Sequence, residues 1–160
     1  MGRSRIDSAL RGLLPQLWKF ALRVTASTET AEELVKETYA AMLAGRREPA
    51  PDVSLRADTF AVMLALWKRT KHTIRDGRAV GSRSSAANAR ETNSEMHYRL
   101  LEVIYGLPDD ERVTLILIEA ECLRYSEAAW ALGISIATLK AQLVRARIAI
   151  ARELAADARP

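Results

Sequence analysis

The sequence is short of the residues that cross-link, ligate or catalyse. Cys122 is its one cysteine, which rules out an internal disulfide framework and leaves no zinc-ligand spacing. Such usage fits a reducing, intracellular setting. Within the apolar run VTLILIEAECL, Cys122 reads as a small buried hydrophobe rather than a reactive thiol. The two histidines, His72 and His97, stand in different segments with no Cys, Ser or carboxylate at a catalytic spacing. No glycine-rich loop is present to cradle a phosphate. The sequence therefore predicts no metal site, no cofactor and no small-molecule substrate, and it supports an enzyme poorly. No window approaches the roughly 18–20 apolar residues of a membrane-spanning helix, and the opening MGRSRIDSALRG lacks the apolar centre of a signal peptide. The expectation is a cytoplasmic protein without a membrane contact.

Aromatic residues are also scarce, at 6%, whereas apolar residues reach 49% of the 160 positions and are dominated by Ala and Leu. That balance builds cores from helices rather than strands. The formal net charge of +4 permits an anionic partner without requiring one.

Composition changes once along the chain. From Gly77 to Ser94 the sequence GRAVGSRSSAANARETNS is polar, rich in small residues and without apolar periodicity, the marks of a flexible linker. The predicted fold is all-α: two small helical domains, 1–76 and 95–160, joined by a linker at 77–94. In the first domain Leu10, Leu13, Leu14, Leu17, Trp18, Ala21, Leu22 and Val24 keep helical spacing. Ser27 or Thr28 caps a second helix, with Glu29, Glu32 and Glu33 near its positive end and Gly45 at its close. After the proline-bearing loop REPAPDVS, a third helix runs from about Leu55 to Asp76. It is apolar at first and then basic, through Lys68, Arg69, Lys71 and Arg75.

The second domain reads as four helices. HYRLLEVIYG comes first, and DDERVTLILIEAEC follows Pro108. YSEAAWAL and a last helix from Ile136 towards Ala155 have the spacing of a helix-turn-helix. Gly133 sits where a tight turn needs a left-handed residue. Ala129 is small enough for close helix approach, and Leu132, Ile134, Leu139 and Leu143 would join the pair. At 100° per residue, Ile136, Leu139, Leu143, Ala146, Ile150 and Leu154 form one apolar stripe. Thr138, Ala141, Arg145 and Arg152 centre on the opposite side, with Lys140, Arg147 and Gln142 at the edges. Ser135 is placed to cap the helix start. A helix packed on one face and cationic on the other can enter a major groove by its first turns while its cations reach phosphates. The candidate DNA-binding set is therefore Ser135, Thr138, Lys140, Ala141, Gln142, Arg145 and Arg147.

These residues carry a resemblance. LRYSEAAWALGISIATLKAQLVRAR resembles region 4 of the extracytoplasmic-function (ECF) sigma factors, and LLEVIYGLPDDERVTLILIEAE resembles the opening of that region. LLPQLWKFALRVTASTETAEELVKETYAAML is similar to their region 2. The resemblance implies a sigma factor that binds core RNA polymerase and directs it to promoter DNA. Region 4 would read the −35 element and region 2 the −10 element, with an anti-sigma factor as a further partner. By position it implies polymerase contacts at Glu33, Leu34, Lys36 and Glu37, and −10 contacts at Lys68, Arg69, Lys71 and Arg75. Three departures stand out. Lys36 replaces the usual Gln, and Ala137, Ala141 and Gln142 stand where Gly, Ser and Arg are common. LRADTFAVMLALWKRTKHTIRD lacks the family's Arg-Asn pair. A similar divergence marks sigma-like decoys that bind an anti-sigma factor without starting transcription, which is the alternative reading.

Overall fold

The computed structural model describes residues 2–45, 52–76 and 94–157, all of whose regular structure is helical. In chain order the helices are α1 (Gly2–Thr25), α2 (Thr28–Ala44), α3 (Leu55–Asp76), α4 (Ser94–Gly106), α5 (Asp109–Leu115), α6 (Tyr125–Leu132) and α7 (Ile136–Asp157). A π-helical turn, Ile116–Ala120, follows α5 without a break. The chain gathers into two compact units, one carrying α1–α3 and the other α4, α5, the π turn, the start of α6, and α7. The expected linker lies outside the described residues except for Ser94, as does most of the expected proline-bearing loop.

The first unit is a three-helix packing. Leu10, Leu17, Phe20, Ala21 and Val24 recur at helical spacing on α1, and all are buried. They meet Ala31 and Leu34 of α2 and Ala57, Phe60, Met63 and Leu64 of α3. Phe20 and Phe60 lie with ring centroids 4.3 Å apart and planes tilted by 33°, within the range where aromatic pairs attract beyond their burial. The α1 helix reaches back to Gly2 and contains Pro15. Its early turns are tied to α2 by the Tyr39 hydroxyl, which donates to Asp7 Oδ1. Arg11 Nε donates to the other oxygen at 3.0 Å. The Tyr39 hydrogen bond, aided by Arg11, holds the Asp7 carboxyl below its usual range.

Local chemistry sets the helix ends. Ser27 is the N-cap of α2, its Oγ accepting from the Thr30 N–H at 3.4 Å. Gly45 closes α2 in extended backbone at φ −65°, so the residue is not needed for a left-handed bend. An added Cβ there would instead meet the Ala41 carbonyl oxygen at 3.0 Å. At the end of α1, Ala26 takes the left-handed conformation at φ 54° while its N–H reaches the Leu22 carbonyl at 2.9 Å. That bond is the αL cap, with alanine where glycine is usual.

In the second unit, α7 packs on α4 and α5. Leu107 and Leu115 bury against Leu143 and Ala146, and half-buried Ile104, Ile118, Ala149 and Ile150 close around them. Leu123 N–H bonds to the Leu117 carbonyl at 3.0 Å, and Cys122 between them sits at φ 52°. This left-handed bend after the π turn turns Cys122 outward. The residue is exposed, contrary to the burial expected from its apolar neighbours.

Backbone strain gives the first expectation. Non-glycine residues in the left-handed region cost about 1–2 kcal/mol. Ala26→Gly should therefore raise stability in urea unfolding by about 1 kcal/mol. Gly133→Ala, at φ 67° with nothing within 4 Å of the added methyl, should lower it by a similar amount. No change from either substitution would contradict this reading of the two turns.

Candidate nucleic-acid interface

The turn joining α6 to α7 is a Schellman motif. Gly133 at φ 67° donates to the Trp130 carbonyl and Ile134 to the Ala129 carbonyl, both at 3.1 Å. At the other end of α6, the Glu127 carboxylate accepts from the Arg124 N–H at 3.3 Å, a backward reach that fastens the helix start. Ser135 then caps α7: its Oγ accepts from the Thr138 N–H at 3.1 Å and lies 2.9 Å from the Thr138 hydroxyl. Ser135 and Thr138 are both exposed, as are Ile136 and Ala137 beside them. The start of the last helix is thus capped and open to solvent, as the sequence predicts. Two members of the apolar stripe depart from expectation, since Ile136 is 44% and Leu154 37% exposed.

Beyond the cap, Leu139, Leu143 and Ala146 are buried and Lys140, Ala141, Arg145 and Arg147 exposed. Each cation has a neighbour that sequence reasoning missed. Arg145 Nε donates to Glu111 Oε1 on α5 at 2.9 Å. Arg147 Nε donates to Glu119 Oε1 on the π turn at 3.0 Å, and its Nη2 turns to the same oxygen. That carboxylate pushes the Arg147 guanidinium further above its ordinary value. Lys140 Nζ stands 5.9 Å from the centroid of the Tyr125 ring. These partners lie far off in sequence, and the acidic residues that supply them read locally as helix-start or solvated positions.

Gln142 is corrected by the structure. It is buried at 8% exposure, and its Oε1 accepts from the Thr114 hydroxyl of α5 at 2.7 Å. Its place at the margin of the apolar stripe lets α5 cover it, so its amide is occupied inside the domain. A base contact from Gln142 would require breaking that bond.

In the first unit, Lys68 and Arg69 are exposed near the end of α3, and Lys71 is half-buried with Nζ 4.6 Å from the Trp67 ring centroid. Arg75 lies in the same helix, its side chain outside those described. On α2, Glu33, Lys36 and Glu37 are exposed, with Lys36 Nζ 2.6 Å from Glu32 Oε1. Leu34 is only 4% exposed. As a direct surface contact it is corrected: its spacing with Ala31 and Thr38 places it on the inward face of α2. A groove beside it is lined by Thr30, Glu33, Glu37, Trp67 and Thr70.

The geometry defines a class: among the described residues the regular structure is helical, and α6, its glycine turn and α7 form a helix-turn-helix with a cationic outer face. Comparison with known proteins shows what the chain is similar to. Residues 97–150 match the family model described as Sigma-70, region 4. That segment is similar to sigma-70 region 4, and the whole chain resembles the ECF sigma factors. It is 25% identical over 148 residues to the ECF RNA polymerase sigma factor EcfG of Rhodopseudomonas palustris (strain TIE-1), spanning 90% of this chain and 82% of that one. The fold is shared with the sigma factor RpoE of Bartonella quintana, solved in complex with the anti-sigma factor NepR, at TM-score 0.75 and 25% identity over 94% of this chain and 96% of that one. PhyRSL of Sphingomonas sp. Fr1, solved with NepR, matches at TM-score 0.68 and 20% identity over 92% and 87% of the two chains. CnrH, solved with the cytosolic domain of CnrY, matches at 0.67 and 19% over 97% and 96%.

Two substitutions test this site. Thr114→Val strands the buried Gln142 amide and should cost about 1–3 kcal/mol in urea unfolding; a neutral result would mean that Gln142 is free to turn outward. Arg147 and Glu119 are both about half exposed, so their pairing is worth about 0–1 kcal/mol. Glu119→Gln should leave stability nearly unchanged and tighten duplex DNA binding by up to about fivefold at low salt. Weaker binding would show instead that Glu119 orients Arg147 for the phosphate.

Proposed function

We propose that this chain is a sigma factor of the ECF kind, which binds core RNA polymerase and directs it to promoters. The observation that carries the reading is the solvent-facing start of α7, capped by Ser135 and set off by the Gly133 turn, in a domain that matches sigma region 4. Under this reading residues 95–160 engage the −35 element. Ser135, Thr138 and Ala141 face the base edges, while Lys140, Arg145 and Arg147 neutralise phosphates. Ala137 and Ala141 offer methyl groups rather than hydrogen-bond donors, which suits thymine-rich edges better than guanine. Residues 1–76 act on the −10 element through the basic end of α3, with Lys68, Arg69, Lys71 and Arg75 drawn to the phosphates. The polymerase contact is made by Glu33, Lys36 and Glu37, with Leu34 supporting them from beneath, and 77–94 serves as the linker.

The family is not an enzyme family, and among the described residues no helix is long and apolar enough to cross a membrane. A cytoplasmic location follows from the proposed partners. An anti-sigma factor is a further partner under this reading, supported by the relatives solved with NepR. The second reading is a decoy that occupies an anti-sigma factor and starts no transcription. The divergent α3 and the intramolecular carboxylates on Arg145 and Arg147 favour it.

Transcription with core polymerase separates the two. The protein should yield promoter-dependent transcripts that weaken as salt rises, because each phosphate contact releases counterions. Lys140→Ala with Arg145→Ala should reduce the salt slope of promoter binding by about 2 and lower transcript yield. Glu111, with 15% side-chain exposure, would be left without Arg145, so the double variant is compared with one that also carries Glu111→Gln. Failure to bind core polymerase at any concentration would overturn the sigma reading in favour of the decoy.

A further inference from the structure

From Ser135 to Arg147, each hydrogen-bonding side chain of the last helix and its cap is engaged within the domain. Ser135 Oγ lies 2.9 Å from the Thr138 hydroxyl, and Gln142 is buried against Thr114. Lys140 Nζ stands over the Tyr125 ring. Arg145 donates to Glu111 at 2.9 Å and Arg147 to Glu119 at 3.0 Å. What this stretch turns outward without such an engagement is apolar. Ile136 is 44% and Val144 53% exposed, and Ala137 and Ala141 are exposed beside them. At 100° per residue Ala137, Ala141 and Val144 fall within about 60° of one another, opposite the buried Leu139 and Leu143. Ile136 flanks the row at its capped end. With a rise of about 1.5 Å per residue the row covers about 10 Å, the length of about three base-pair steps.

In the major groove each base pair presents its own set of donors and acceptors, and one apolar group, the C5-methyl of thymine. Reading donors and acceptors takes side chains that can leave their present partners. Arg145 and Arg147 can do so at little cost, since their pairs are solvent-screened. They stand about 70–90° off the row, however, on the flanks where phosphates run. Methyl against methyl needs no such exchange, because it removes apolar surface from water on both sides. Cytosine holds a C5–H at the same place. Methylation there supplies the thymine methyl and leaves the base pairing unchanged. A row of methyl groups responds to that methyl, whichever pyrimidine bears it.

We infer that the outward row of α7 recognises C5-methyl pyrimidines, so that duplex containing 5-methylcytosine is a ligand alongside duplex containing thymine. Ile136 and Val144 are specificity residues of this contact, with Ala137 and Ala141 between them in sequence. The inference rests on the promoter reading above and deepens it, by naming the chemical group that is read and a regulatory consequence. Methylating a cytosine that faces the row strengthens binding at that promoter, and transcription from it follows the methylation state of the site.

Fluorescence anisotropy with the full chain tests this on a labelled duplex that the chain itself selects from a random pool. At each thymine of the selected element, otherwise identical duplexes carry thymine, uracil, cytosine or 5-methylcytosine, with the matching purine opposite. Burying one methyl group corresponds to about fourfold in affinity. At up to about three positions thymine should therefore bind about fourfold more tightly than uracil. At the same positions 5-methylcytosine should bind more tightly than cytosine by the same factor. Both ratios should hold as salt rises, because a methyl contact releases no counterions. Ile136→Ser with Val144→Ser should bring both ratios towards one. The two positions are exposed, and far-ultraviolet circular dichroism checks that the helices persist. Ratios of one at every position with the unaltered chain would overturn the inference while promoter recognition stands. So would a methyl effect confined to thymine and uracil, or ratios that the double substitution leaves intact. A selected duplex bound no more tightly than a scrambled one would overturn the promoter reading, and this inference with it.

Discussion

The contact of α7 with α5 is the constraint on which the rest depends. Leu143 and Ala146 bury against Leu107 and Leu115, and that contact decides which way every other residue of α7 points. A helix free to roll could show any face to a ligand. Once four apolar residues are locked, Ser135, Lys140 and Arg145 have no choice but to face solvent. The Thr114–Gln142 hydrogen bond reinforces the same orientation by adding a directional bond to an otherwise non-directional contact. A roll by one residue would break it and bury a cation, so the register is specified by polar as well as apolar terms.

Electrostatics modulate this geometry without creating it. The acidic start of α5 suits the positive end of that helix, and Glu111 and Glu119 also reach the arginines of α7. Glu111 therefore serves both helices, whereas Glu119, on the π turn, moderates the charge of α7 alone. The pairs are largely solvent-screened, so each is weak. Weakness is useful here, because a backbone phosphate can take the place of a carboxylate at little cost. The arginines are held in place between encounters rather than locked away.

Much of this was legible in the sequence, for identifiable reasons. The seven helices follow from apolar spacing and from local end signals such as Ser27, Ser135 and Gly133, which act within four residues of themselves. The match of residues 97–150 to sigma region 4 and the shared fold with RpoE bear out the family resemblance and the two-unit helical plan. What escaped depends on distant partners or on small shifts of phase. Gln142 is buried by Thr114, 28 positions away, and periodicity alone cannot see across that gap. Leu34 was aligned by motif position, although its spacing with Ala31 already placed it inward. Cys122 was judged by its apolar neighbours, yet the π turn ends just before it and a left-handed bend swings it out.

The central claim is that the exposed side of α7 meets upstream promoter duplex while polymerase is bound, and site-specific cross-linking tests it most directly. A photoreactive side chain is placed at position 141, on the exposed side, and separately at position 152, farther along α7. In a complex of core polymerase, this protein and promoter DNA, position 141 should cross-link to duplex at the −35 element, and position 152 should do so weakly or not at all. Cross-linking of position 141 to protein alone, with the promoter occupied, would contradict the account.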